Sequence, residues 1–194
     1  MIRLAILIAA CGTAVAIAAP TAPTERQKWY EKAVKKVEGT FTPAEAKPGQ
    51  TVTFTLTVEL NEGYHTYPTV QTDKGAAGMV NEIKFPNPDK VIFVGTTQDP
   101  KDVKTKPEPL LNIAELRYCT GTAVYTRKAV VSPKATVGTA TMKLTSFNLS
   151  VCDEDNCFPP KKVPVEATLK VLDGPAVPVE KEYADEVKKA LGEK

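Results

Sequence analysis

Four cysteines stand in the chain, Cys11, Cys119, Cys152 and Cys157, and the last two form a tight motif, Cys152-Asp-Glu-Asp-Asn-Cys157-Phe-Pro-Pro. Residues that favour strand flank it on both sides, so the motif reads as a hairpin loop. The two cysteines then sit where the strands leave and re-enter a sheet. Opposed residues of an antiparallel pair lie ~4.5–5.5 Å apart, inside the ~4.4–6.8 Å that a disulfide spans. A Cys152–Cys157 bond is therefore expected, with Cys119 left as a thiol.

Such a bond has little value as a staple. Closing about six residues restricts the unfolded chain by only ~2 kcal/mol, against ~4.7 for a loop of 100. A weakly stabilising bond at an exposed turn is a candidate for exchange chemistry. Spacing alone leaves both readings open, staple and redox centre. The loop is acidic through Asp153, Glu154 and Asp155, with Lys161 and Lys162 just beyond. Like charge disfavours a thiolate, so the pair suits a disulfide that waits for a partner's thiolate better than it suits an attacking thiol.

Other chemistries have thinner support. His65 is the single histidine, which excludes a multi-His metal site; flanked by Tyr64 and Tyr67, it reads as a partly buried, satisfied side chain. The cysteines with His65 lack zinc-finger spacing. No G-x-S-x-G, phosphate-loop or dinucleotide fingerprint occurs. With 25 Lys+Arg against 23 Asp+Glu, net charge is +2, and no basic cluster points to nucleic acid. Neither a cofactor nor a metal is expected.

The elements that must position the cysteines are strands. The chain has 194 residues, 42% apolar and 25% charged, with 16 prolines, an ordinary globular composition that discourages long helices. The clearest segment is Thr51–Leu60, where Val52, Phe54, Leu56, Val58 and Leu60 alternate with Thr and Glu, the period of a half-buried strand. Further strands are expected at Val37–Phe41, Glu82–Phe85 and Val91–Val94. Leu116–Val131 reads as one strand, and Gln98–Pro109 as a loop. Ala140, Met142 and Leu144 alternate; Phe147, Leu149 and Val151 continue one residue out of phase. That slip suggests a bulge at Thr145-Ser146. Val163–Val171 is the last strand. Val179, Tyr183, Val187 and Leu191 then recur every four residues, the mark of a short helix docking one narrow face. These elements argue for an all-β antiparallel sandwich with a short C-terminal helix.

Arg3 precedes an apolar stretch that ends in Ala16-Ile17-Ala18, the pattern of a secretory signal peptide cut after Ala18. Ile8-Ala9-Ala10-Cys11 also fits a lipobox, the minority alternative of a lipoprotein anchored at Cys11. Export places the cysteines where disulfides persist. The expected organisation is a signal peptide at 1–18, a linker with a possible short helix at 19–33, a β-sandwich redox domain at 34–174 and a helical tail at 175–194. No stable membrane insertion is expected after cleavage.

SVCDEDNCFPPKKVPVEATLKV resembles the active-site hairpin of the amino-terminal periplasmic domain of DsbD-type thiol:disulfide interchange proteins. NEGYHTYP and ELRYCTGTAVY are similar to two further segments of that family, and the resemblance covers roughly residues 34–172. It implies an immunoglobulin-like sandwich, periplasmic location and a catalytic Cys152/Cys157 pair that cycles between dithiol and disulfide. It implies protein partners: a separate membrane or thioredoxin-like electron donor, and periplasmic acceptors. It implies a cap loop with an aromatic residue, here matched to Tyr118, and a weak preference for Cys157 as the sulfur that partners attack. Cys119 departs from that pattern by adding a third thiol beside the cap. The alternative is a non-catalytic exported binding or scaffold domain with a structural disulfide.

Overall fold

A computed structural model describes residues 28–193. The expected signal peptide, Cys11 and the linker up to residue 27 lie outside the described residues. Helix α1 (Trp29–Ala33) leads into β1 (Val34–Thr42), β2 (Glu45–Ala46), β3 (Thr51–Leu60), β4 (His65–Thr66), β5 (Glu82–Lys84) and β6 (Val91–Gln98). There follow β7 (Lys104–Glu108), β8 (Ile113–Thr120), β9 (Thr122–Val131), β10 (Gly138–Lys143), β11 (Ser146–Leu149), β12 (Val151–Cys152), β13 (Lys161–Lys162), β14 (Glu166–Val171) and helix α2 (Ala184–Ala190).

The largest sheet has the order β1-β3-β9-β6. Its central strand β3 pairs antiparallel with β1 and with β9. Its five apolar side chains, from Val52 to Leu60, are all buried. They meet Ala140, Met142, Phe147, Leu149, Ala167 and Leu169 of the facing layer in one core. That layer holds the sets β10-β14-β2, β13-β11-β5 and β12-β4-β8-β7. The result is the expected β-sandwich, antiparallel except where β2 joins β14 in parallel. The four-residue repeat of the tail does dock as expected: Val187, Val179, Tyr183 and Leu191 pack on Ile92, Val94 and Val130.

Three strand expectations need correction, the first being Val163–Val171, whose residues 163–165 lie outside any strand so that β14 starts only at Glu166. Leu116–Val131 is not one strand: Gly121, with φ +67°, turns the chain between β8 and β9, a conformation that glycine adopts without steric cost. Gln98–Pro109 is not wholly a loop, because β7 lies inside it and pairs with β8. Its Pro107 and lysines suit a sheet edge, where β7 sits; an edge strand has an outer side that needs no ladder donor.

The segment from β10 to β14 is one long irregular hairpin whose tip is the cysteine motif. Lys143 pairs with Glu166 and Asn148 with Lys162. Leu144 donates its amide to Val165 O, and Val163 donates to Phe147 O. Between those two bonds one strand advances from 144 to 147 while the other retreats only from 165 to 163. The extra residue lies at Thr145-Ser146, where the hydrophobic phase slips. A single added residue turns Phe147, Leu149 and Val151 back toward the core, all at or below 1% exposure.

Candidate functional site

At the hairpin tip Cys152 and Cys157 form a disulfide, with Cα atoms 4.1 Å apart. The turn is held without it. Asp153 N donates to Asn156 O, and Asp153 Oδ1 accepts from the amides of Asp155 and Asn156 at 2.9 and 2.7 Å. Phe158 N donates to Val151 O at 3.0 Å. Behind the tip, Phe158 stacks on the Trp29 ring of α1 at 5.3 Å, and Lys161 Nζ lies 4.6 Å from the centre of the Tyr30 ring.

The two sulfurs live in different surroundings. Cys152 is 3% exposed and packs with Tyr67, Ala76, Ile113 and Leu116, whereas Cys157 is exposed. Strand pairing explains what faces them. Cys152 lies opposite His65, and residues two apart on a strand share a face. Tyr67 therefore follows His65 onto the side of the disulfide. Its hydroxyl is 2.8 Å from Cys152 Sγ, 3.6 Å from Cys157 Sγ and 3.4 Å from His65 Nε2. Burial, aided by the Glu108 carboxylate, pushes the Tyr67 phenol up to about 12, so it stays protonated near neutral pH and can donate to sulfur. Burial first, and then the Lys106 cation, push the His65 imidazole below its ordinary value. His65 is partly buried between Tyr67 and Tyr118, with ring centres 5.6 and 5.5 Å away.

Tyr118 and Cys119 lie in strand β8 rather than in a loop, and they face opposite ways. Tyr118 shares the disulfide side: its ring packs on His65, with Lys106 Nζ 5.6 Å from its centre. Cys119 pairs with Thr66 and is buried in the main core at 2% exposure. Burial, then Asp99, push its thiol up to about 11. Cys119 is accordingly expected to resist iodoacetamide at neutral pH in the native protein and to react only on unfolding. Mass spectrometry of the labelled, folded protein checks this.

A loop that does reach the cavity beside the pair is the turn Pro109–Leu111 between β7 and β8, closed by Asn112 at φ 55°. Its Leu110 and Leu111 are 95% and 54% exposed. They line a cavity of about 220 Å³ with Met79, Leu116 and both cysteines.

A buried polar network fixes this face. Asn81 Nδ2 reaches Thr66 Oγ1, Tyr67 O and Tyr125 Oη at 2.8, 2.9 and 2.7 Å. Asn81 Oδ1 accepts from Ser150 N at 2.8 Å. Tyr125 donates to Tyr67 O, and Thr66 to Ser150 O. The network thus ties the residues beside Tyr67 to those beside Cys152. Asn81→Ala is expected to cost about 3 kcal/mol, because each orphaned buried partner costs ~1–3 kcal/mol. Urea unfolding midpoints at unchanged m-value check it.

In the sequence Tyr67 stands two residues from His65 with nothing to mark it for a role. Its partner sulfur is 85 positions away, a contact that only the β4–β12 pairing creates. Asn81 carries no local signal for the same reason.

No protein-family model matches the sequence, and no curated protein matches it. Solved structures do. The N-terminal periplasmic domain of ScsB from Proteus mirabilis is similar at 13% identity and TM-score 0.42, over 77% of this chain and 51% of that one. The present chain thus spans about half the length of that structure. The seventh ScaB type I cohesin from Pseudobacteroides cellulosolvens is similar at 9% identity and TM-score 0.34, over 74% of this chain and 96% of that one. A chain of the Coh-OlpA-Doc918 complex, a type I cohesin–dockerin complex from Clostridium thermocellum, is similar at 15% identity and TM-score 0.30, over 71% of this chain and 100% of that one. Identities and scores this low leave function to the geometry of the site.

Proposed function

We propose that this protein is an exported thiol–disulfide exchange module working through Cys152 and Cys157. The observation that carries the reading is the asymmetry of the bond, with one sulfur exposed and the other buried against a protonated phenol. A donor thiolate attacks Cys157 Sγ. The S–S bond breaks, a mixed disulfide forms on Cys157, and the electron pair leaves on Cys152 Sγ. The Tyr67 hydroxyl donates to that new thiolate, stabilising charge where it develops. A second donor thiol then displaces Cys157, so that the donor leaves as a disulfide and the pair as a dithiol. The reverse sequence passes both electrons to an acceptor disulfide.

The partners are a separate membrane or thioredoxin-like donor and exported acceptor proteins, and the compartment is the periplasm. No helix among the described residues is long and apolar enough to cross a membrane. Tyr118 and the Pro109–Leu111 turn form the lip around the pair, and Cys119 takes no part in exchange. The competing reading, a binding scaffold with a structural bond, draws on the burial of Cys152. Transfer separates the two. The protein, first reduced and freed of reductant, is expected to reduce a disulfide-bonded model peptide stoichiometrically and to recover the Cys152–Cys157 bond. A folded, reduced protein that passes no electrons would overturn the proposal.

A further inference from the structure

We infer that the surface around Cys157 is a docking site for a protein thiol of one kind: a reactive cysteine set in an apolar patch and framed by lysines or arginines. This rests on the exchange reading and specifies its partner.

Two independent features of the surface point there. The first is apolar. Leu110 projects at 95% exposure from the rim of the disulfide cavity, with Leu111 at 54% beside it. Both stand on a short turn at a sheet edge. Large side chains held in water next to a reactive bond are anchors for an apolar counterpart.

The second feature is charge. Asp153, Glu154, Asp155, Glu108 and Lys106 line the same cavity. Lys106 is tied to Glu108 at 3.3 Å, which cancels that pair. Asp153, Glu154 and Asp155 remain, and among the described residues no ion pair neutralises them. Lys161, which follows in the hairpin, is drawn away over the Tyr30 ring, and Lys35, which lines the adjoining pocket with Glu154, sets one cation against three carboxylates. The exposed sulfur therefore sits in a negative field.

An attacking group must be a thiolate, so this field opposes it. An attacker overcomes the opposition only by bringing its own cations. Neighbouring Lys, Arg or His⁺ is also what lowers a thiol's pKa enough to make it a thiolate at neutral pH. The charges that activate the partner's sulfur are thus the charges that the hairpin attracts. Small anionic thiols such as glutathione meet repulsion and lack an apolar patch for Leu110. The collar selects for protein donors and against the soluble thiol pool.

The test compares reduction of the full-length protein by cysteamine, 2-mercaptoethanol and 3-mercaptopropionate, each rate expressed per thiolate. The cationic thiol is expected to outpace the anionic one by about tenfold at low ionic strength. The ratio should collapse toward that of an Asp153→Asn/Glu154→Gln/Asp155→Asn variant in ~1 M salt, where screening acts within ~3 Å. The variant removes intrinsic differences between the thiols from the comparison. Two single-cysteine peptides supply the apolar arm, both carrying leucines beside the cysteine, one with flanking lysines and one with glutamates. Leu110→Ser should slow the lysine peptide several-fold relative to cysteamine. Equal charge ratios in wild type and variant, or no effect of Leu110→Ser on the lysine peptide, would overturn the docking surface while leaving exchange intact. A folded protein whose bond resists all three thiols would overturn the exchange reading, and the docking surface with it.

Discussion

Cys152→Ser is expected to turn the protein into a trap. It leaves the exposed Cys157 sulfur without its neighbour, so a mixed disulfide formed there has no internal thiol to resolve it. Of the pair, Cys157→Ser leaves only Cys152, which is 3% exposed and packed against Tyr67 and Leu116. When each variant is mixed with an activated disulfide, non-reducing mass spectrometry should show at least ~10-fold faster adduct formation on Cys152→Ser, because access governs exchange as strongly as nucleophilicity does. Faster capture by Cys157→Ser would reverse the assignment of entering and leaving sulfurs.

Tyr67→Phe is the second large effect. It keeps the ring in its cluster and deletes only the hydroxyl 2.8 Å from Cys152 Sγ. A hydrogen bond to a charged group contributes ~1.5–3 kcal/mol, and each 1.36 kcal/mol is tenfold in rate. Sulfur is a weak acceptor, so the lower bound applies: reduction should slow about tenfold. The potential should change far less than the rate, because the reduced pair is a dithiol and the hydrogen bond to charge exists only while the S–S bond breaks. The sign follows from the phenol, raised to about 12 and therefore still a donor at assay pH. In wild type the rate should follow the ionisation of the attacking thiol, with no break from Tyr67 below that value. An unchanged rate in Tyr67→Phe would assign the hydroxyl a packing role only.

Much of the hairpin was readable locally. The alternation of Val52 to Leu60 marks β3, and the phase slip at Thr145-Ser146 marks the added residue that separates β10 from β11. Both are encoded by neighbours in sequence and by the two-residue period of a strand. The Cys152–Cys157 bond also follows from adjacent residues. What stayed hidden depends on distant pairing. Cys119 and Tyr118 are neighbours in β8, and only the alignment of β8 with β4 puts one in the core and the other beside His65. Tyr67 and Asn81 are invisible as site residues until β12 lies against β4. Edge strand β7 was obscured by Pro107 and its lysines, which local rules assign to a loop and which an unpaired outer side tolerates.

The most direct measurement is the reduction potential of the Cys152–Cys157 couple, taken together with circular dichroism of the reduced protein. Asp153, Asn156, Val151 and Phe158 hold the turn through bonds that do not involve sulfur, so the sandwich should stay folded as a dithiol. The potential should lie above about −300 mV, the upper edge of the structural range. A value well below that, with loss of the fold on reduction, would contradict the exchange account and make the bond a staple.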